Sequence, residues 1–107
     1  MVKEPAILIA EFLEEVAQAH EIGSLEILHN VFNKTEQYLS DQPGNESMAI
    51  AYNFLDGWVD ASNHDWQYYD GIEKEDWPIL GRQISIALRQ GKPVENEVVL
   101  KHFELRK

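Results

Sequence analysis

Hydrophobic and polar residues recur along this chain with the period of α-helices. From Pro5 to about Glu21, apolar residues return every three or four positions, and glutamates occupy the opposite side. Gly23 ends this segment, and a second amphipathic segment follows from Ser24 to about Ser40. A turn at Gln42 to Gly44 closes the second segment. The pattern therefore predicts two helices in the first part of the chain.

A third helix, from about Glu46 to Ser62, is apolar on two sides. One side carries Met48, Tyr52, Leu55 and Val59, and the other carries Ile50, Phe54, Gly57, Trp58 and Ala61. A helix with two apolar sides is usually packed by neighbours on both. We therefore expect the third helix to lie at the centre of the fold.

A fourth helix begins near Asp76, after acidic residues that suit a helix N-terminus, and it ends at Gly91. Its predicted core face is Trp77, Leu80, Ile84, Ala87 and Leu88. Residues 95–105 fit a short helix, although Val98 to Phe103 also fits a strand. Because no partner strand is predicted elsewhere, a short fifth helix is preferred. The prediction is an all-α bundle of four to five helices, with residues 1–107 as a single domain.

Composition restricts the classes of function. The 107 residues are 44% hydrophobic and include no cysteine, which excludes disulfides, thiolate chemistry and sulfur-ligated zinc. The longest mostly apolar run, Pro5 to Ala10, is too short to span a bilayer and has no signal-peptide cleavage site. We therefore expect a cytoplasmic protein without a membrane partner.

Charge is unevenly distributed. Residues 1–76 carry three lysines against sixteen carboxylates, whereas residues 77–107 carry six basic residues against three. The net charge of −10 repels phosphate backbones, so nucleic acid is not an expected partner. Such a surface attracts a basic protein, although acidity also serves simply to keep a small protein soluble.

Aromatic and acidic residues are concentrated between Asn53 and Trp77. Trp58 and Trp77 fall at helical core positions, which leaves three aromatic residues in a segment without helical period. Tyrosine and tryptophan order at low entropic cost and often anchor interfaces. The sequence therefore predicts a partner-binding patch with Trp66, Tyr68 and Tyr69 as anchors and Asp65, Asp70, Glu73 and Asp76 as acidic surroundings. The alternative is that the three aromatic residues cover the end of the bundle core.

Asp56, Asp60 and His64 follow at intervals of four residues, which would align them along one helix face. Two carboxylates and an imidazole could hold a divalent metal or form an acid–base pair. Helical metal sites usually draw ligands from several helices, so no metal or cofactor is assigned. The competing interpretations are that the aspartates pair with Arg82, Arg89 or Lys74, or simply face water. For a pair inside the bundle, Arg82 is the most plausible donor.

The Tyr68–Tyr69 pair and the motif Ala10-Glu11-Phe12-Leu13 are similar to features of the immunity proteins of nuclease bacteriocins. In that family, an acidic helix and adjacent paired tyrosines plug a basic nuclease. This chain differs because a complete helix precedes the tyrosines and no proline follows Tyr69. The resemblance is one of physical design and implies binding by occlusion.

We thus expect a protein-binding module of immunity or antitoxin type that occludes or regulates a basic partner. No catalytic motif is present, so an enzyme is the less favoured class, and its form would be metal-dependent chemistry at Asp56, Asp60 and His64. A third hypothesis is a homo-oligomer, with a homodimer possible. Its subunits would pair through exposed aromatic residues, with the basic tail (Lys101, Arg106 and Lys107) meeting acids of another copy.

Overall fold

The computed structural model describes residues 5–24, 26–31, 33–34, 46–66 and 68–103. Four helices have defined bounds: α1 Pro5–Ile22, α3 Glu46–Ser62, α4 Asp76–Gln90 and α5 Glu97–Phe103. Between α1 and α3, residues 26–31 and 33–34 are helical and are called α2. No strand occurs in these described ranges, so the predicted all-α fold class is confirmed. The predicted end of the second helix and the turn at residues 42–44 lie outside the described residues.

The end of α4 and the start of α5 show why the chain changes direction where the pattern predicted. Gly91 has φ 68° and ends α4 in the left-handed conformation, with its N–H and that of Lys92 donating to carbonyls of the last turn. Asn96 precedes α5, and its side-chain oxygen accepts hydrogen bonds from the N–H groups of Val98 and Val99 at 3.0 and 3.1 Å. This cap satisfies two free donors and favours the helix over the alternative strand.

The predicted central position of α3 is also confirmed. It contacts α1, α4 and α5, and residues from both of its apolar sides are buried. Trp58 of α3 and Trp77 of α4 are fully buried and stack with ring centroids 5.9 Å apart. Phe54 contacts both indole rings. The two tryptophans predicted to be core residues therefore form its aromatic centre.

Gly57 lets α5 approach α3 closely. A Cβ at this position would lie 2.4 Å from Cε1 of Phe103 and 3.1 Å from the hydroxyl of Tyr69. The Phe103 ring is buried and packs against Phe54. The absence of a side chain at Gly57 is therefore what makes room for both rings.

The predicted ion pairs between α3 and α4 are wrong for both arginines. Arg82 forms a two-point hydrogen-bonded ion pair with Glu21, and Arg89 forms one with Glu14. Buried Ser85 also donates to Glu14. The reason is that α4 packs most extensively against α1, so its arginines face the glutamates of α1 and not the aspartates of α3. Glu14 and Glu21 are therefore paired residues.

The hydrogen bond from Arg89 is the main cause that holds the pKa of the Glu14 carboxyl below its ordinary value. Both pairs are partly exposed, so solvent screens them and their contribution to stability is small. Across the described part of the chain, no helix has the length and apolar character needed to cross a membrane.

Candidate partner-binding surface

The segment that carries the predicted anchors starts with a tight reversal after α3. The N–H of Trp66 donates to the carbonyl of Ala61 at 2.7 Å. Asp65 and Trp66 have φ values of 54° and 66°, a left-handed conformation that costs energy for residues with a side chain. Backbone strain of this kind persists only where surrounding contacts hold it, and it is concentrated at functional sites.

Trp66 is held by the end of α1. Its ring meets the imidazole of His20 edge-on, with centroids 4.7 Å apart. His20 in turn accepts a hydrogen bond at Nδ1 from the indole N–H of Trp58, 3.0 Å away. Trp66 is only half-buried, so one part of its ring remains accessible. The ammonium of Lys74 lies 5.9 Å from its ring centroid, within cation–π range.

Tyr69 has a structural role in addition to its predicted role in partner contact. Its half-buried ring packs against Trp77, His102 and Phe103, with centroid distances between 5.0 and 5.8 Å. Burial raises the pKa of its hydroxyl to about 12, and Asp60, Tyr68 and Asp56 act in the same direction. Tyr69 is therefore covered on one side by α5, which leaves only part of its ring accessible.

Tyr68 is the most exposed of the predicted anchors, at 52%. It stacks on the ring of His64, with centroids 4.7 Å apart, and meets Tyr69 edge-on at 4.9 Å. These two neighbours restrict the orientation of its ring while leaving half of its surface in solvent. A side chain in this condition loses little entropy when a partner covers it.

Two anchors and three of the predicted acids line one open depression of about 590 Å³. Its walls are Trp66, Tyr69, Asp70, Gly71, Ile72, Glu73 and Asp76. Tyr68 and Asp65 are not part of this lining. Asp76 has a second task, since its carboxylate accepts a hydrogen bond from the backbone N–H of Glu73 at 2.9 Å. The exposed carboxylates of Asp70 and Glu73 are thus the acids available to a ligand in the depression.

The opposite side of the segment is fixed by α5. His102 donates through Nε2 to the backbone carbonyl of Asp70 at 2.8 Å, and Ile72 is buried. His102 and His20 were not predicted to belong to this surface. His20 could have been recognised, because it continues the apolar stripe that runs through Leu13 and Val16. The sequence around His102 gives no indication that this residue belongs to the surface, because its position there depends on how α5 packs.

The alternative Asp56, Asp60 and His64 stripe is not assembled as a metal centre. Within the described ranges, no three His, Asp or Glu side chains are grouped in a way that could hold a metal ion. His64 lies in the turn beyond α3, and its Nδ1 is 2.7 Å from the backbone carbonyl of Asp60, to which it must donate. Asp56 and Asp60 instead add negative potential near Tyr69.

Comparisons with protein families, with curated proteins and with solved structures found no match to this chain. The similarity to bacteriocin immunity proteins is thus limited to the short motifs quoted above. What bears on function is the chemistry of the surface itself, which combines aromatic faces with carboxylates on a supported loop.

Proposed function

We propose that this protein is a binding module that recognises a basic protein and acts by occluding or regulating it. The observation that carries the proposal is the common depression, in which the aromatic rings of Trp66 and Tyr69 stand beside Asp70 and Glu73. Half-exposed Tyr68 lies next to it on the same loop. This combination suits a lysine or arginine side chain together with the apolar surface around it.

Rigidity of the loop supports this proposal. Trp66 packs on His20, Tyr69 packs on Phe103, and the carbonyl of Asp70 accepts a hydrogen bond from His102. Two separate helices, α1 and α5, therefore hold the loop before any partner arrives. Preorganised contact residues avoid part of the ordering cost of binding.

Electrostatics supports a cationic partner. Residues 56–76 carry seven carboxylates and one lysine. That lysine, Lys74, lies over the ring of Trp66. The chain thus places its own cation against the face that a partner cation would use, while the surrounding carboxylates accelerate encounter with a basic surface.

The test begins with capture from lysate of the source cell at low and high salt, followed by purification of the captured basic protein. Calorimetry then gives Kd for wild type and variants. We expect Tyr68→Ala to weaken binding by about thirtyfold, since truncating a hot-spot residue costs about 2 kcal/mol or more. Asp70→Asn or Glu73→Gln alone should weaken it less than about fivefold and reduce its salt dependence.

Two further variants sharpen the test. Ile86→Ala is a matched control, because Ile86 is 53% exposed on the outer face of α4, and it should bind like wild type. Lys74→Ala removes the competing cation from Trp66 and should tighten binding. If Tyr68→Ala binds as tightly as wild type, the assignment of the surface is wrong. Failure to bind any basic protein would reject the function.

A further inference from the structure

The neighbours of His20 require its imidazole to be neutral. An indole N–H can only donate a hydrogen bond, and that of Trp58 reaches Nδ1 of His20 at 3.0 Å. Nδ1 therefore carries a lone pair and no proton. The backbone of Lys74 also hydrogen-bonds to the ring, in the direction that raises its pKa, so it acts as an acceptor and Nε2 is the donor. These two contacts together select one neutral tautomer.

Trp66 depends on the same imidazole. Its ring meets that of His20 edge-on at 4.7 Å, and it lines the depression of the partner-binding surface. Asp65 and Trp66 both have left-handed backbone conformations, with φ values of 54° and 66°. A reversal strained in this way persists only while surrounding contacts hold it. His20 thus connects the end of α1 to the strained end of the partner-binding surface.

A second proton on His20 is incompatible with this arrangement. An imidazolium donates from both nitrogens, so a proton on Nδ1 would point at the N–H of Trp58. Trp58 is fully buried, and its indole N–H would lose its acceptor away from water. His20 lies in the last turn of α1, where the helix dipole favours a cation. The charged ring therefore turns outward, and its contact with Trp66 is lost.

Charged groups around His20 set the pH at which this happens. Burial is the main cause that holds the pKa of His20 below its ordinary value, and the ammonium of Lys74 acts in the same direction. Glu21 of α1 and Glu75, just before α4, oppose them. Arg82 of α4 binds Glu21, and α3 presents a neutral indole. His20 is thus neutral at neutral pH and takes up a proton in mild acid.

We propose that protonation of His20 releases Trp66 from α1, so that acidification weakens the partner-binding surface. The release is a property of the free protein, whereas its effect on binding rests on the proposed function. A partner that needs Trp66 in place binds the neutral form better. Since one proton is involved, its affinity falls by at most about tenfold per pH unit.

Nuclear magnetic resonance of the free protein tests the release. In neutral solution, nuclear Overhauser effects should connect the rings of Trp66 and His20, as their separation of 4.7 Å allows. On acidification these effects should disappear at the pH where the His20 ring titrates, below its ordinary pKa of 6.5. Circular dichroism should show intact helices at that pH. Contacts of Trp66 that outlast protonation of His20, or that vanish only as the helices unfold, overturn the proposal.

Two variants isolate the cause. His20→Asn puts a neutral oxygen acceptor in the place of Nδ1 and takes up no proton, so the signals of Trp66 should stay constant over the same pH range. Trp58→Phe removes the opposed donor, so protonated His20 should keep its contact with Trp66. If Trp66 is released equally in Trp58→Phe, opposition between two donors is not the cause, and the proposal fails.

Calorimetry with the captured basic protein tests the consequence for binding. Between neutral pH and about pH 5, Kd should rise about tenfold or more for wild type and less than about threefold for His20→Asn. Titration of surface carboxylates is common to both chains, so the difference reports His20. An equal rise in both overturns the coupling while the partner-binding function stands. Release of Trp66 in a protein that binds no basic partner would support the release and reject the proposed function.

Discussion

Replacement of Gly57 by alanine should destabilise the fold, although alanine is the better helix former. The new Cβ would lie 2.4 Å from Cε1 and 2.8 Å from Cζ of Phe103, so the ring must retreat by about 1 Å to reach ordinary contact. Phe103 has little freedom to do so, because its ring is enclosed by Phe54, Tyr69 and Trp77. Overpacking of this kind costs about 1–3 kcal/mol.

The helix-propensity gain of alanine over glycine, about 1 kcal/mol, opposes that cost. We therefore expect a net loss of about 1 kcal/mol in the free energy of unfolding. Urea denaturation measures it directly, and a fall in Tm of roughly 4–8 °C should accompany it.

A double-mutant cycle isolates the clash. In Phe103→Leu the atoms Cε1 and Cζ are absent, so Gly57→Ala in that background should recover the propensity gain and become neutral or stabilising. The coupling between the two positions is then about 2 kcal/mol. If Gly57→Ala costs the same in both backgrounds, contact with Phe103 is not the reason for glycine at this position.

Three further predictions concern single side chains. The pKa of His20 is lowered chiefly by burial, so the unfolded chain takes up its proton first. Stability measured by urea denaturation should therefore fall as pH drops below 6.5, and His20→Gln should flatten that dependence. Trp58→Phe should lower the free energy of unfolding, measured by chemical denaturation, by about 1–2 kcal/mol more than Trp77→Phe does. The reason is that Trp58→Phe leaves His20 Nδ1 without its donor, whereas the Trp77 N–H has no acceptor among the described residues. Gly91→Ala should lower the free energy of unfolding by roughly 1–2 kcal/mol, since its φ of 68° is strained for alanine and no neighbouring atom is displaced; an unchanged Tm would contradict this account.

The helices and the aromatic core could be predicted because periodicity identifies which face of a segment is buried. Trp58 and Trp77 fall on such faces, and both are fully buried. Periodicity does not identify the neighbour that covers a face. The sequence therefore allows Arg82 to pair with the aspartates of α3, whereas the packing of α4 on α1 gives it Glu21.

The candidate surface could be predicted only in outline, for a related reason. Its aromatic residues lie in a segment without period, so their burial depends on distant residues. Tyr69 is half-covered because Phe103 and His102 of α5 reach it, and Trp66 is half-covered because His20 of α1 reaches it. The grouping of Trp66 and Tyr69 with Asp70, Glu73 and Asp76 agrees with what their proximity in sequence suggested.

The pairing of α1 with α4 also has a consequence for synthesis on the ribosome. The contacts between Glu21 and Arg82 and between Glu14 and Arg89 join positions 61 and 75 residues apart. At ordinary translation rates, α1 leaves the ribosome roughly 3–15 s before α4 is available to it. During that interval the apolar stripe of Ile9, Leu13 and Val16 lacks its main cover, so it is accessible to chaperones until α4 is made.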